Sequence, residues 1–341
     1  MIETVDNRKE WNKTVQNSDI QYFTYLYEWM DVFKECYGYE MYPLGYREKN
    51  GELTSVFPLM FDKEKKFLLS PPFGGWGGAT KVEHYPDYLD YIDKLGKELK
   101  ARRIYVYPTP IPSLESIFSQ KGYNIESTTP YFILNVKDLS FEEFLKPRSI
   151  KKVRQNIRRA KKNGVEVIIV PTNTDSIRRF YPFYEHVMIN NKARFIFPVK
   201  LFLLIQQKMS SLVNIRIAKW QDKDIAGAIT FSYGDRVMMW FVVGLKDYSN
   251  LGASTLLFAH IIETAIEKNL HIVDMGPSGW NDSGFEFKRR FRADIETHIN
   301  AIKGLNLYDK AYISLISWSK KQLREHKKLS QFVYSVYKKI K

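Results

Sequence analysis

The chain has 341 residues, of which 44% are hydrophobic and 15% aromatic, enough to hold two domains of ordinary size with their own cores and too apolar for a disordered polymer. No apolar run approaches the roughly 20 residues that cross a bilayer, the opening Met1–Asp6 has no basic stretch followed by an apolar core, and the lone Cys36 excludes an internal disulfide and fits a reducing cytoplasm. A formal net charge of +14 points to an anionic partner such as RNA, a nucleotide or a phospholipid surface, with general solubility as the plain alternative.

Residues 1–140 read as one αβ unit. Asn7–Gln16 is a short helix candidate with Trp11 inward, and Tyr25–Cys36 is a stronger one that ends near Gly38. Met41–Arg47 and Leu53–Phe61 read as strands joined by a Lys49-Asn50-Gly51 hairpin turn. The loop from Leu68 to Ala79 carries four glycines around Trp76, which lets backbone approach a ligand closely; a bent connection is the equal alternative. Its spacing fits neither a Walker loop nor a dinucleotide fingerprint. Tyr88–Lys100 then reads as a helix and Arg103–Tyr107 as a strand.

Residues 141–304 repeat the same rough order. After a strand at Tyr131–Val136 and the start of a helical hairpin at Phe141–Leu145, Arg148–Lys162 is the most basic stretch, with no acid in it. Ile150, Val153, Ile157 and Ala160 mark its buried face. Arg154, Arg158 and Arg159 on the other faces fit phosphate binding, or merely a solvated face. Helices at Ser176–Asn190 and Lys200–Ser211 and strands at Val165–Val170 and Asn214–Trp220 follow. A hairpin then runs through Ala226–Ser232 and Val237–Gly244, turning at Gly234-Asp235. Next come a breaker-rich turn, a buried helix over Ala253–Lys268 and a strand over Leu270–Met275. Beyond residue 305 the pattern is a basic amphipathic helical tail, which docks on its own domain or lies on an anionic membrane surface.

Hairpin, glycine turn, helix and strand in that order resemble the centre of the GNAT acyltransferase fold. At the phosphate-binding turn, Ser249, Gly252 and Ser254 take the aligned places and only Gly252 keeps the usual residue. Wider still, the loop Leu68–Gly78 resembles the serine-proline-glycine loop of FemABX-type enzymes. Val273-Asp274-Met275-Gly276-Pro277-Ser278, with Gly284-Phe285-Glu286-Phe287-Lys288, resembles their second motif block, and Glu28, Trp29 and Lys34 fall where that family has its early tryptophan helix. Arg292 stands where the family has glycine, and the coiled-coil arm of some members is missing. The resemblance spans about residues 20–300.

The resemblance implies an α+β chain of two tandem GNAT-like domains, 1–140 and 141–304, with a basic helical tail at 305–341. It further implies transfer of an aminoacyl group from aminoacyl-tRNA to an amine of a nucleotide-linked or lipid-linked envelope precursor of peptidoglycan type, in the cytoplasm or at the inner face of the membrane. By the same resemblance Lys288 supplies positive charge at the reacting centre, while Lys34 and Arg194 hold a nucleotide diphosphate. Trp76, Gly77, Gly252 and Ser278 complete the expected substrate contacts. From the residues themselves, Asp274 at a strand end either takes a proton from the amine or caps the following turn. Glu286, two positions before Lys288, shares its side if that segment is extended, and the two then form an acid–base pair or only a salt bridge.

No cofactor is expected beyond the donor substrate, aminoacyl-tRNA or acyl-CoA. The six histidines, His84, His186, His260, His271, His298 and His326, show no HExxH spacing, so no metal site is legible. Two rival expectations stand beside the first: an acyl-CoA-dependent N-acyltransferase of envelope or exopolysaccharide assembly, and a non-catalytic RNA- or membrane-surface-binding module.

Overall fold

The computed structural model describes residues 1–71, 75–111, 113–126, 130–193, 195–279, 283–297 and 299–318. In chain order its strands are β1 (Ile2–Thr4), β2 (Glu40–Arg47), β3 (Leu53–Asp62), β4 (Phe67–Ser70), β5 (Arg103–Val106), β6 (Asn124–Glu126), β7 (Pro130–Asn135), β8 (Glu166–Val170), β9 (Val213–Trp220), β10 (Lys223–Tyr233), β11 (Arg236–Gly244), β12 (Ile272–Pro277), β13 (Asp294–Thr297) and β14 (Asn300–Gly304). Its helices are α1 (Arg8–Gln16), α2 (Tyr27–Tyr37), α3 (Tyr85–Glu98), α4 (Leu114–Gln120), α5 (Phe141–Leu145), α6 (Lys151–Lys162), α7 (Thr174–Asn190), α8 (Val199–Met209), α9 (Ala253–Glu267), α10 (Ser283–Arg289) and α11 over 307–318.

Local chemistry explains most of these boundaries. Asn7 caps α1 by accepting from the N–H groups of Lys9 and Glu10. Gly38 stops α2 in the left-handed region at φ 72°. Ser140 and Glu143 form a capping box at α5. Helix α3 begins at Tyr85, before its expected start at Tyr88, because Pro86 suits the first helical turn.

Two seven-stranded sheets result, ordered β1-β2-β3-β4-β5-β14-β6 and β13-β7-β12-β11-β10-β9-β8. Each is built on an antiparallel hairpin and one parallel crossover: β4–α3–β5 in the first, β11–α9–β12 in the second. The halves are therefore two GNAT-like α+β units in tandem. Two strands lie where chain order does not put them. Strand β7, read with the first unit, pairs with β12 and β13; β14, read with the second, is inserted between β5 and β6. Leu68–Ser70, read as part of a loop, is strand β4, because its backbone is taken up between β3 and β5.

One apolar core runs across both halves. Trp11, Tyr25, Trp29 and Phe33 pack in a single cluster with Phe180, Phe202, Phe231 and Trp240. At its centre the rings of Phe23 and Phe231 stack with centroids 4.0 Å apart and planes 2° apart. Burial on this scale makes the relation of the two sheets part of the fold.

Candidate active site

The parallel strands β11 and β12 pair only over Arg236–Met238 and Ile272–Asp274. From Met239 onward β11 has no strand partner on that side among the described residues, so the strands part and Asp274 sits at the fork. Its carboxylate is fully enclosed. Oδ1 accepts the Gly276 N–H at 2.7 Å, and Oδ2 accepts the Tyr22 hydroxyl at 3.1 Å. Gly276 has φ +70°, a backbone state that suits glycine, and this lets the turn fold back onto the carboxylate.

With no exposed surface, the carboxylate caps the turn that carries Gly276. Next to it Lys288 Nζ donates to the carbonyls of Gly276 at 3.2 Å and Pro277 at 2.8 Å, with the Phe132 ring 5.8 Å away. Ser278 belongs to the same turn and donates its N–H to the Pro130 carbonyl at 3.0 Å.

The wall opposite comes from the first unit. Tyr22 stacks on Trp76 with centroids 4.7 Å apart, and Trp76 also meets Tyr131 at 5.9 Å. The Arg236 guanidinium lies over both rings, 5.6 Å from Tyr22 and 5.0 Å from Trp76. Its Nη1 is 4.0 Å from Asp274 Oδ2, and buried Nε and Nη1 have no hydrogen-bond acceptor among the described residues. Burial pushes the Asp274 carboxyl up, against the opposing pull of Arg236, the Gly276 N–H, Tyr22 and Lys288. Burial, followed by the Asp274 charge, pushes the Tyr22 hydroxyl far up, so Tyr22 stays a donor. Glu296 is also raised, by burial first, with Arg236 opposing.

Other expected site residues fall elsewhere. The segment around Lys288 is helix α10, not extended, so positions two apart point to different sides. Glu286 is exposed and pairs with Arg289 at 2.9 Å, which removes it from an acid–base pairing with Lys288. Gly77 donates its N–H to the Tyr107 carbonyl at 2.7 Å, and its carbonyl accepts the Tyr25 hydroxyl at 2.6 Å. A Cβ on it would stand 2.4 Å from the Pro71 nitrogen, so this glycine serves close backbone packing, not ligand approach. Gly252, with φ +84°, starts α9 under helix α6, where a Cβ would meet the Asn156 carbonyl at 3.0 Å. Helix packing thus accounts for the glycine of the expected phosphate turn.

Arg154 donates to the carbonyls of Leu145, Lys146 and Pro147 that end α5, so its charge is engaged in the fold. Arg158 and Arg159 are exposed on α6. Lys34 is exposed on α2, and Arg194 lies outside the described residues. A cavity of about 480 Å³ opens between α6, β8 and α9, bordered by Ile157, Lys161, Leu256, His260 and Glu263; it shares no residue with the Tyr22–Asp274–Lys288 group. Among the described residues no three of His, Cys, Asp and Glu form a metal-binding group, and no helix is long and apolar enough to cross a membrane.

Sequence reading missed Tyr22 and Arg236. Arg236 had a signal, a cation directly after the Gly234-Asp235 turn at the start of a strand otherwise apolar as far as Gly244. Tyr22 had none.

Residues 148–289 match the family model described as an acetyltransferase (GNAT) domain, which agrees with the two GNAT-like units seen in the fold. More particularly, the chain has a FemABX-like tandem GNAT fold. FemX superposes with a TM-score of 0.67 at 12% identity, covering 88% of this chain and 96% of that one. The C-terminal domain of a putative lysylphosphatidylglycerol synthetase from Agrobacterium fabrum gives 0.61 at 14%, covering 91% and 95%. A tandem GNAT protein from the clavulanic acid biosynthesis pathway gives 0.56 at 9%, covering 90% and 99%. No curated protein matches the chain by sequence.

Proposed function

We propose that this acyltransferase moves an aminoacyl group from aminoacyl-tRNA to an amine of a cell-envelope precursor, in the cleft between its two units. The observation that carries the reading is the convergence of Tyr22, Asp274 and Lys288 at the fork of β11 and β12. Acyl transfer needs a neutral amine held against an ester carbonyl and positive charge where the oxyanion develops. Lys288, held on two carbonyls beside the fork, supplies that charge, while Asp274 and Tyr22 fix the turn that carries those carbonyls. The unpaired edge of β11 offers main-chain groups to an extended donor.

FemX and the lysylphosphatidylglycerol synthetase domain, both similar in fold, support envelope chemistry as the setting. Exposed Arg158 and Arg159 on basic helix α6 are the assigned contacts for tRNA phosphates, and Lys34 and Arg194 for the precursor's diphosphate. A second reading, transfer from acyl-CoA, is favoured by the acetyltransferase family match and opposed by the packing of α6 over Gly252.

The test offers purified protein charged tRNA and, separately, acetyl-CoA at low and moderate salt. Saturable binding of aminoacyl-tRNA that falls steeply with salt supports the proposal. Saturable acetyl-CoA binding without tRNA affinity replaces it with the second reading.

A further inference from the structure

Helix α11 docks by one face only. Asn306 precedes it and accepts the Asp309 N–H at 2.7 Å, while the buried Asp309 carboxylate accepts Arg102 Nε at 3.0 Å and Asn306 Nδ2 at 2.8 Å and also holds Arg103. Gly304 lies so close beneath the helix that a Cβ there would stand 2.6 Å from the Lys310 nitrogen. Ile313 completes the buried contact. With about 100° between successive residues, Asp309, Ile313, Ile316 and Ser317 share the docked side. Leu307, Tyr308, Leu315 and Trp318 share the other, while Tyr312 lies between the two with the Arg103 guanidinium 4.6 Å from its ring.

Those four large side chains are between 61% and 85% exposed. Single exposed apolar residues need no account, but four on one face of one helix do. Immediately beyond, the sequence 319–341 contains eight lysines and arginines against one glutamate. We propose that this face of α11 docks the protein on an anionic phospholipid surface. Leucine and aromatic side chains enter the boundary between headgroups and acyl chains, where Tyr and Trp keep their polar tips wet. Charge selects this occupant: a second copy carries the same +14 and is repelled, whereas an anionic bilayer is attracted. Two leucines on the face suit acyl chains and offer nothing to a nucleic acid.

The proposal does not rest on the proposed reaction. The full chain is sedimented with vesicles of phosphatidylcholine alone and of phosphatidylcholine mixed with phosphatidylglycerol, beside a Leu315→Glu, Trp318→Glu variant and a milder Leu307→Ser variant. The wild type is expected to pellet with the anionic vesicles only, less so as salt rises. The double variant binds about tenfold or more weakly and Leu307→Ser a few-fold weakly, with thermal stability unchanged. Equal binding by the variants, absence of wild-type binding, or a change of oligomeric state on substitution overturns it; the last would assign the face to a second copy.

Discussion

Tyr22 donates to Asp274 Oδ2 across 3.1 Å, tying the entrance of the first unit to the strand fork of the second over a separation of 252 positions. The bond closes a path from the Trp76 stack through Asp274 and the Gly276 turn to Lys288. The site is thereby one assembly, which depends on both halves.

Removing the hydroxyl in Tyr22→Phe leaves the buried carboxylate with one donor fewer. Hydrogen bonds to charged groups are worth roughly 1.5–3 kcal/mol, so a roughly tenfold or greater fall in kcat/KM is expected. Because Tyr22 pulls the Asp274 carboxyl down against its burial, its loss raises that carboxyl further, and the acid limb of the pH–rate profile moves to higher pH. An unchanged profile removes Tyr22 from the working site.

Asp274→Asn separates function from stability. Burial raises the folded-state pKa of Asp274 above its ordinary value, so its stabilising contribution is complete below that value and lost as pH rises through the folded one. Asparagine still accepts the Gly276 N–H and carries no charge to desolvate. Thermal unfolding at neutral pH is expected to show a higher Tm for the variant, with the gain shrinking toward pH 4, while activity falls. A lower Tm at neutral pH would show that the pairing with Arg236 outweighs the burial.

At Lys288 the comparison is between Met and Arg. Lys288→Met removes the charge beside the fork and is expected to lower kcat by about 10²–10³, as for loss of one oxyanion donor. Lys288→Arg keeps charge but not the geometry on Gly276 and Pro277, and recovers part of the loss. Single-turnover rates check both.

Helix α6 yields a contrast between neighbouring arginines. Arg154→Ala leaves three carbonyls at the end of α5 without their donor and should cost about 1–3 kcal/mol, read as a lower urea midpoint. Arg158→Ala with Arg159→Ala should leave that midpoint unchanged and flatten the salt dependence of tRNA binding. Equal salt slopes in wild type and double variant would take tRNA off this helix.

Much of the site block is legible in the sequence. Asp274, Gly276 and Lys288 belong to one short stretch whose residue types announce a strand, a turn and a cation. Helix α10 is not legible: the Phe-Glu-Phe-Lys run alternates as a strand would, and docking of Phe285, Phe287 and Phe291 on Phe132 and Phe258 overrides that pattern. Glu286 is misplaced for the same reason. The glycines of the 68–79 loop look like room for a ligand, whereas at Gly77 they make room for the chain itself.

By itself the sequence determined most of the helices and hairpins and the rough repeated order of the two halves, because periodicity, caps and turn residues act over a few neighbours; the GNAT-like class came from a resemblance of motifs. Only the tertiary structure decided that β7 and β14 exchange sheets, that Tyr22 reaches Asp274, and that Arg236 stacks over Tyr22 and Trp76. Those choices depend on burial and pairing between segments far apart in the chain. Local propensity carries no record of which partner a strand edge or a buried charge will find.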